Sequence, residues 1–498
     1  MSPNNSALPA TTTDFNEQTQ IKIQSSALVG LIILLIAFGS LRLLWPGDVP
    51  FIDDEPRLLE MALQANETGE SLPYGLKGTR NIRYGPFPVW IYRIMLMLTH
   101  DLVIIVILRV LLVTAITSIS IVWLSMTCRY LWPLAGAAAL LSPYLWFYSR
   151  SLWDNSFCIP LTALAFAAYL AFCRRKQWWT LAITFLCLTL LFLTHLMTLA
   201  VVVPILFHFL FFHRSWWKAR WWIVLLFAGG GILLAWPYLV YLSNASPSGS
   251  PPGLGIKSWS FSLLGGRLFS MYGLDYFLGT SWANSPQMPA FVNVMVQILG
   301  RFTGIAIIFT WLGVLGSAVV VVTSLKNKDK RDIRFHACLI SLAAICCQAI
   351  LNVLSATQGQ PHYYNGTWIH LFFFFWFAVS FAASRTWVKT LFGVYAVAMA
   401  AILIFLPIKL HLSAGNRIIR YGPTLANQIK VAKKLNQYHP KSVVETEVEN
   451  VEKAPHAINF LQELYANASP SSGPQLRLLI RYARPERNNG MIELVELE

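Results

Sequence analysis

Three acids stand in a row at the polar edge of an apolar run, in Phe51-Ile52-Asp53-Asp54-Glu55-Pro56-Arg57. Adjacent carboxylates raise one another's pKa and partial burial adds to the effect, so such a cluster can hold a base that takes a proton from a hydroxyl. A solvated acidic turn has the same composition. What separates the two readings is company. Arg150 and Asp154 close the stretch Tyr148-Ser149-Arg150-Ser151-Leu152-Trp153-Asp154, His195 lies between two apolar runs, and His362-Tyr363-Tyr364 precedes another. Ionisable groups at the ends of apolar segments that face one compartment mark functional sites, because a charge at the lip of a bilayer is costly to keep. Arg80 and Arg83, in the polar stretch that follows the acids, and Arg150 supply cations of the kind that hold a departing phosphate. Two of these readings have structural rivals: Asp154 can simply pair with Arg150, and Arg80 and Arg83 suit lipid head groups as well. His195 reads first as a hydrogen-bonded packing residue.

The elements that position these groups are membrane spans. Of 498 residues, 56% are hydrophobic and only 12% charged, against roughly 25% charged in a soluble domain. Such a chain cannot solvate its own surface in water. Runs of about 20 apolar residues, long enough to cross a hydrocarbon core, divide it into about eleven spans. They fall at 26–44, 101–126, 131–148, 155–172, 178–193, 196–212, 221–242, 301–325, 336–356, 367–383 and 388–407. The first run follows a polar tail, 1–25, with neither the basic start nor the small-residue cleavage site of a signal peptide, and reads as a retained anchor. The region 26–407 forms the membrane domain, with long polar loops at 45–100 and 243–300, and 408–498 has the ordinary polar composition of a small appended α/β domain.

The net charge of +15 is spread between apolar runs rather than massed on one face, which excludes a nucleic-acid partner and points to topology. With the amino terminus inside, Arg129, Arg174-Arg175-Lys176, Arg214/Lys218/Arg220, the basic cluster at 326–334 and Arg385/Lys389 all fall in cytoplasmic connections. The acids, His195, His362 and the carboxy-terminal domain then lie outside. One outer loop breaks the rule by carrying Arg57, Lys77, Arg80, Arg83 and Arg93. A basic outer loop requires an anionic ligand or acidic partners. The seven cysteines, Cys128, Cys158, Cys173, Cys187, Cys338, Cys346 and Cys347, sit in or beside apolar runs without metal-type spacing and read as small core residues.

The pattern resembles the GT-C glycosyltransferases, especially the branch of protein O-mannosyltransferases and lipid A aminoarabinose transferases. In that family an Asp-Glu motif, often Asp-Glu-x-Arg, opens the first outer loop, and Asp54-Glu55-Pro56-Arg57 stands there. A Pro-containing segment then enters an interfacial helix, as in Arg83-Tyr84-Gly85-Pro86-Phe87-Pro88-Val89-Trp90. A Pro, then Ser-Arg, then an Asp opening a span are matched by Pro143, Ser149-Arg150 and Asp154, and a His-Tyr pair before a late span by His362-Tyr363. Where aminoarabinose transferases carry Glu-Lys-Pro-Pro the chain has Arg83-Tyr84-Gly85-Pro86, so the phosphate falls to a nearby arginine or to another residue.

The resemblance implies an all-α polytopic membrane fold of GT-C type with a small extracytoplasmic α/β domain, in a bacterial plasma membrane with the active site facing outside. It implies transfer of a sugar from a polyprenyl-phosphate donor to a hydroxyl of a lipid, glycan or protein acceptor. Asp54 would be the general base, with Glu55 and Asp154 beside it, and Arg57, Arg80, Arg83, Arg150, His362 and Tyr363 would bind substrate. Family members differ in metal use, so a divalent metal stays open with no ligand assigned. The rival class, a lipid or sugar transporter, requires two similar halves with helices broken at the midplane, and no such repeat is visible.

Sidedness can be tested directly. Single cysteines placed in the 326–334 connection should stay unlabelled by an impermeant thiol reagent in intact cells, while those in 357–366 and at the carboxy terminus should react. Labelling of the 326–334 positions would put the acids on the wrong side.

Overall fold

A computed structural model describes residues 29, 32–33, 36–37, 39–52, 54–78, 82–128, 142–245, 290–327, 332–354, 361–382, 385–415, 422–438, 443–446, 454–465, 477–483 and 491–497. The apolar part is helical: α1 (Asp54–Thr68), α2 (Phe87–Leu98), α3 (Leu102–Thr127), α4 (Pro143–Arg150), α5 (Cys158–Arg175), α6 (Trp178–Phe192), α7 (Leu199–Phe212), α8 (Arg214–Ala219), α9 (Trp221–Asn244), α10 (Ala290–Lys326), α11 (Ile333–Leu354), α12 (Trp368–Ala382) and α13 (Thr386–Ser413). Six stretches, within α3, α5 with its leading turn, α9, α10, α11 and α13, are long and apolar enough to cross a bilayer, and shorter apolar helices stand among them. The chain is an integral membrane protein.

Local chemistry sets the boundaries. Asp101 caps α3, its carboxylate accepting from the backbone N–H of Val103 at 2.8 Å. Proline in the first turn of α2 and of α4 gives up no hydrogen bond, since those N–H groups have no partner in a helix start. Two helices outrun their hydropathy. Helix α13 continues past Pro407 to Ser413, because an apolar setting tolerates an interior proline, and α10 begins at Ala290, before the apolar run. Of the expected span 131–148, the described residues form α4; its earlier part lies outside the described residues.

Helix α5 is the hub. In its span, Asp154–Arg175, 94% of the apolar window is buried inside the protein, against 17% for α9. Ala163, Ala165, Ala167, Ala168 and Ala171 let neighbouring helices approach it closely. Between α4 and α5 the chain reverses through an extended segment and a 3₁₀ turn, Asp154–Phe157. The reversal is pinned by Arg109, fully buried on α3, whose guanidinium donates to the carbonyls of Ser149 at 2.7 Å and Tyr148 at 3.3 Å, and to the Ser156 hydroxyl.

After α13 comes a small α/β unit of α14 (Leu425–Leu435), β1 (Val443–Thr446), α15 (Ala454–Leu464), β2 (Arg477–Tyr482) and β3 (Ile492–Leu497). Its sheet runs β1-β2-β3. Strand β1 is parallel to β2, with Val444 opposite Leu478, and β2 is antiparallel to β3, with Leu479 opposite Val495. The helices pack a core of Val431, Leu435, Ile458, Leu478, Ile480 and Ile492 against it. The unit grips the turn that leads into α1: Leu425 N–H donates to Val49 O at 3.0 Å, Ala426 N–H to Gly47 O at 2.9 Å, and the Gln428 amide to Phe51 O at 2.8 Å. Phe51 and Phe460 close the joint, their ring centroids 6.1 Å apart.

Replacing Arg109 by Met keeps much of the apolar stem and removes every donor. Hydrogen bonds from a charged group are worth about 1.5–3 kcal/mol each, so Arg109→Met should lower the thermal transition in detergent by a loss on the order of 3 kcal/mol. An unshifted transition would mean that packing alone holds the α4–α5 reversal.

Candidate active site

Asp54 and Glu55 form the first turn of α1, where the exposed N–H groups and the helix dipole favour negative charge. Glu55 is buried and Asp54 half-buried. The Asp54 Oδ2 accepts the indole N–H of Trp153 at 2.8 Å, a bond that ties α1 to the reversal between α4 and α5. Arg57, one turn on, is exposed. Asp53 and Arg80 lie outside the described residues.

Asp154 is the next residue after Trp153 and is fully enclosed. Its Oδ1 accepts the backbone N–H of Asn155 at 2.6 Å, while Oδ2 is buried with no hydrogen-bond partner. An unpaired buried acceptor costs about 1–3 kcal/mol and is rare in folded proteins. The rival reading of a simple Asp154–Arg150 pair does not describe this geometry. The buried Arg150 guanidinium points instead at the turn before α1, donating to Trp45 O at 2.7 Å and Asp48 O at 3.2 Å and lying 4.5 Å above the Trp146 ring. Asp48 in turn meets His411 of α13 at 2.8 Å, and burial raises its pKa despite the opposing pull of His411 and Arg150.

Aromatic rings join the two acids into one wall. Trp153 lies 4.6 Å from His362, His362 4.3 Å from Tyr363, Tyr363 6.0 Å from His195, and His195 stacks on Tyr84 at 4.0 Å. Burial raises the Tyr84 phenol well above its ordinary pKa, and the carboxylates of Asp154 and Asp54 push it further. Burial also lowers His195 to about 3, and lowers His362 to about 3 with a smaller contribution from His195. Both imidazoles are therefore neutral at working pH. They can donate or accept hydrogen bonds, but they bring no positive charge to a phosphate.

The wall rests on backbone contacts. His195 Nδ1 accepts the Met197 N–H at 3.2 Å, capping the 3₁₀ turn that starts α7. Gly85 sits so close to Leu193 that a Cβ there would fall 2.1 Å from the Leu193 carbonyl oxygen, so only glycine fits. Phe87 N–H donates to that same carbonyl at 3.1 Å. Beside it, the backbone of Arg83 is held by two tyrosines from the end of α9. Tyr238 donates to its carbonyl at 3.0 Å and its N–H reaches the Tyr241 hydroxyl at 3.3 Å, while the guanidinium lies 4.4 Å over the Tyr74 ring.

Of the residues singled out in the sequence, Asp54, Glu55, Asp154, His362, Tyr363 and His195 meet at this end of the bundle. Arg83 flanks them, and Arg150 is bonded to the turn before α1. Trp153 and Tyr84, which link the acids, carried no assigned role. Asn365 and Asn155 form a further buried pair at 3.0 Å, with the Tyr144 hydroxyl bonded to Asn365. Asn365 begins a glycosylation sequon, yet it is fully enclosed, so it serves packing.

No protein-family model and no curated protein matches the chain. Among solved structures, the chain is similar to the oligosaccharyltransferase of Archaeoglobus fulgidus in its apo form, at a TM-score of 0.42 and 13% identity over 89% of this chain and 61% of that one. It is similar also to ArnT from Cupriavidus metallidurans bound to undecaprenyl phosphate, at a TM-score of 0.48 and 12% identity over 94% of this chain and 98% of that one.

Proposed function

We propose that the protein is a membrane glycosyltransferase that moves a sugar from a polyprenyl-phosphate donor to an acceptor hydroxyl on the non-cytoplasmic face. The observation that carries this reading is the meeting of Asp54 with the segment of Trp153 and Asp154, from two distant parts of the chain, through the 2.8 Å Trp153–Asp54 bond at one end of an apolar bundle. The motif resemblance supplies the reaction class, and the geometry supports the roles.

Asp54 is the general base. A carboxylate has about four acceptor positions, so the Trp153 bond orients the group and leaves capacity for a hydroxyl proton. The acceptor oxygen attacks the anomeric carbon, its proton passes to Asp54, and the bond to the phosphate oxygen breaks on the opposite side, inverting the centre. Polyprenyl phosphate departs with the electron pair. Its charge calls for cations, and Arg57, Arg80 and Arg83 of the outer loop are the candidates, with Arg150 beneath them. Glu55 and Asp154 hold the acceptor or the sugar hydroxyls, and neutral His362 and Tyr363 offer hydrogen bonds without competing for the phosphate. The apolar helices accommodate the prenyl chain, and a lipid, glycan or protein brings the hydroxyl.

Asp54→Asn tests the base. Asparagine still accepts the Trp153 N–H but cannot take a proton, so polyprenyl phosphate release from a labelled donor should fall by about 10²–10⁴-fold with the thermal transition unmoved. Near-normal turnover would sink the assignment. Arg83→Ala should raise the KM for the donor by about 10- to 150-fold, the equivalent of a charge-assisted contact of 1.5–3 kcal/mol. An unchanged KM would place the phosphate with another arginine.

A further inference from the structure

Four ligand-type side chains outside the proposed reaction face one another at the far end of α5, roughly 28 Å along the chain axis from Asp154 at 1.5 Å per residue. Cys173 stands in the last turns of α5, His208 near the end of α7, His213 in the link from α7 to α8, and His336 in the first turn of α11. All four are buried, and one donor atom from each lies within 4.8 Å of every other. The closest pairs are His208 Nε2 to His336 Nδ1 at 3.1 Å and Cys173 Sγ to His213 Nε2 at 3.4 Å.

A hydrogen-bonded chain needs only successive atoms to be near. Four donor atoms mutually close on one point describe a coordination shell. Tetrahedral zinc, with bonds of about 2.0–2.3 Å, sets its ligand atoms roughly 3.3–3.7 Å apart, so small side-chain adjustments complete the shell. The donor chemistry agrees: one thiolate and three imidazoles suit a borderline-soft ion, and the set lacks the oxygens that calcium and magnesium require. A supporting contact is also present. The Tyr169 hydroxyl lies 2.8 Å from His208 Nδ1, fixing the ring so that Nε2 faces the other ligands. Lys176 Nζ lies 2.9 Å from His213 Nδ1. With a metal on Nε2 that nitrogen carries the proton, so Lys176, exposed at the helix end, turns to solvent as the ion enters.

We propose that Cys173, His208, His213 and His336 bind one Zn²⁺ ion that clamps α5, α7 and α11 together at the end of the bundle opposite the acids. Binding exchanges the ion's waters for the four side chains, and the Cys173 thiol releases its proton to solvent. With four protein ligands the site is closed, so its role is structural.

The test uses the full chain in detergent, stripped with a chelator and titrated with Zn²⁺ against a chromophoric competitor, and separately loaded with Co²⁺. One equivalent should bind and raise the thermal transition. The Co²⁺ form should show tetrahedral d–d bands and a thiolate-to-metal charge-transfer band that Cys173→Ser abolishes. Tyr169→Phe, which leaves all ligands in place, should weaken affinity by about 10- to 100-fold. Three results would overturn the proposal: no stoichiometric binding by chain with a normal thermal transition, a charge-transfer band indifferent to Cys173→Ser, or copper held in preference with zinc excluded.

Discussion

A guanidinium enclosed among apolar helices must find acceptors for its donors, and carbonyl oxygens freed where a helix ends can supply them. Arg109 meets that demand at the carboxyl end of α4 and at Ser156. Because its stem belongs to α3, the reversal between α4 and α5 is registered to a membrane span rather than to a loop. Tyr92 adds a second tie, its hydroxyl donating to Leu152 O at 2.9 Å. Trp153 and Asp154 inherit their positions from these contacts. Through the Trp153–Asp54 bond, so does the start of α1.

The other side of Asp54 is held from the opposite end of the chain. The α14 backbone and Gln428 bond to the turn at 47–51, and Arg150 reaches the same turn from beneath. The acid therefore stands between two frames, one buried in the bundle and one in the α/β unit. A carboxylate proposed as a base gains from such bracing, since misplacement of reacting groups is costly in rate.

How much of this was legible in the sequence follows from the physics of each signal. Spans were readable because hydropathy acts on whole segments; where helices run past it, as at Pro407 in α13, the cause is a local tolerance that no average records. The acids were readable because a charge at the edge of an apolar run stands out. Trp153 and Tyr84 were not, because aromatic residues make up 14% of the chain and a ring carries no mark of its partner. Arg109 sat inside an apolar run, where its acceptors, some 40 residues on, are set by the fold alone. Cys173, His208, His213 and His336 escaped for the same reason: their spacing in sequence has no pattern, and only the packing of three helices brings them together.

The enclosure of α5 carries a consequence for how the protein is made. Trp368 donates to Ile159 O at 3.1 Å, and His370 and Phe373 pack on Phe166, so α12 supplies part of the wall around α5. Yet α12 leaves the ribosome long after α5. At about 5–20 residues per second, the interval between Arg175 and Trp368 lasts about 10–40 s. During that time α5 must survive as a single helix in lipid or in the care of the insertion machinery. Its sequence thus answers to two masters in succession: hydrophobic enough to enter the bilayer alone, and small-sided enough to vanish inside the finished bundle.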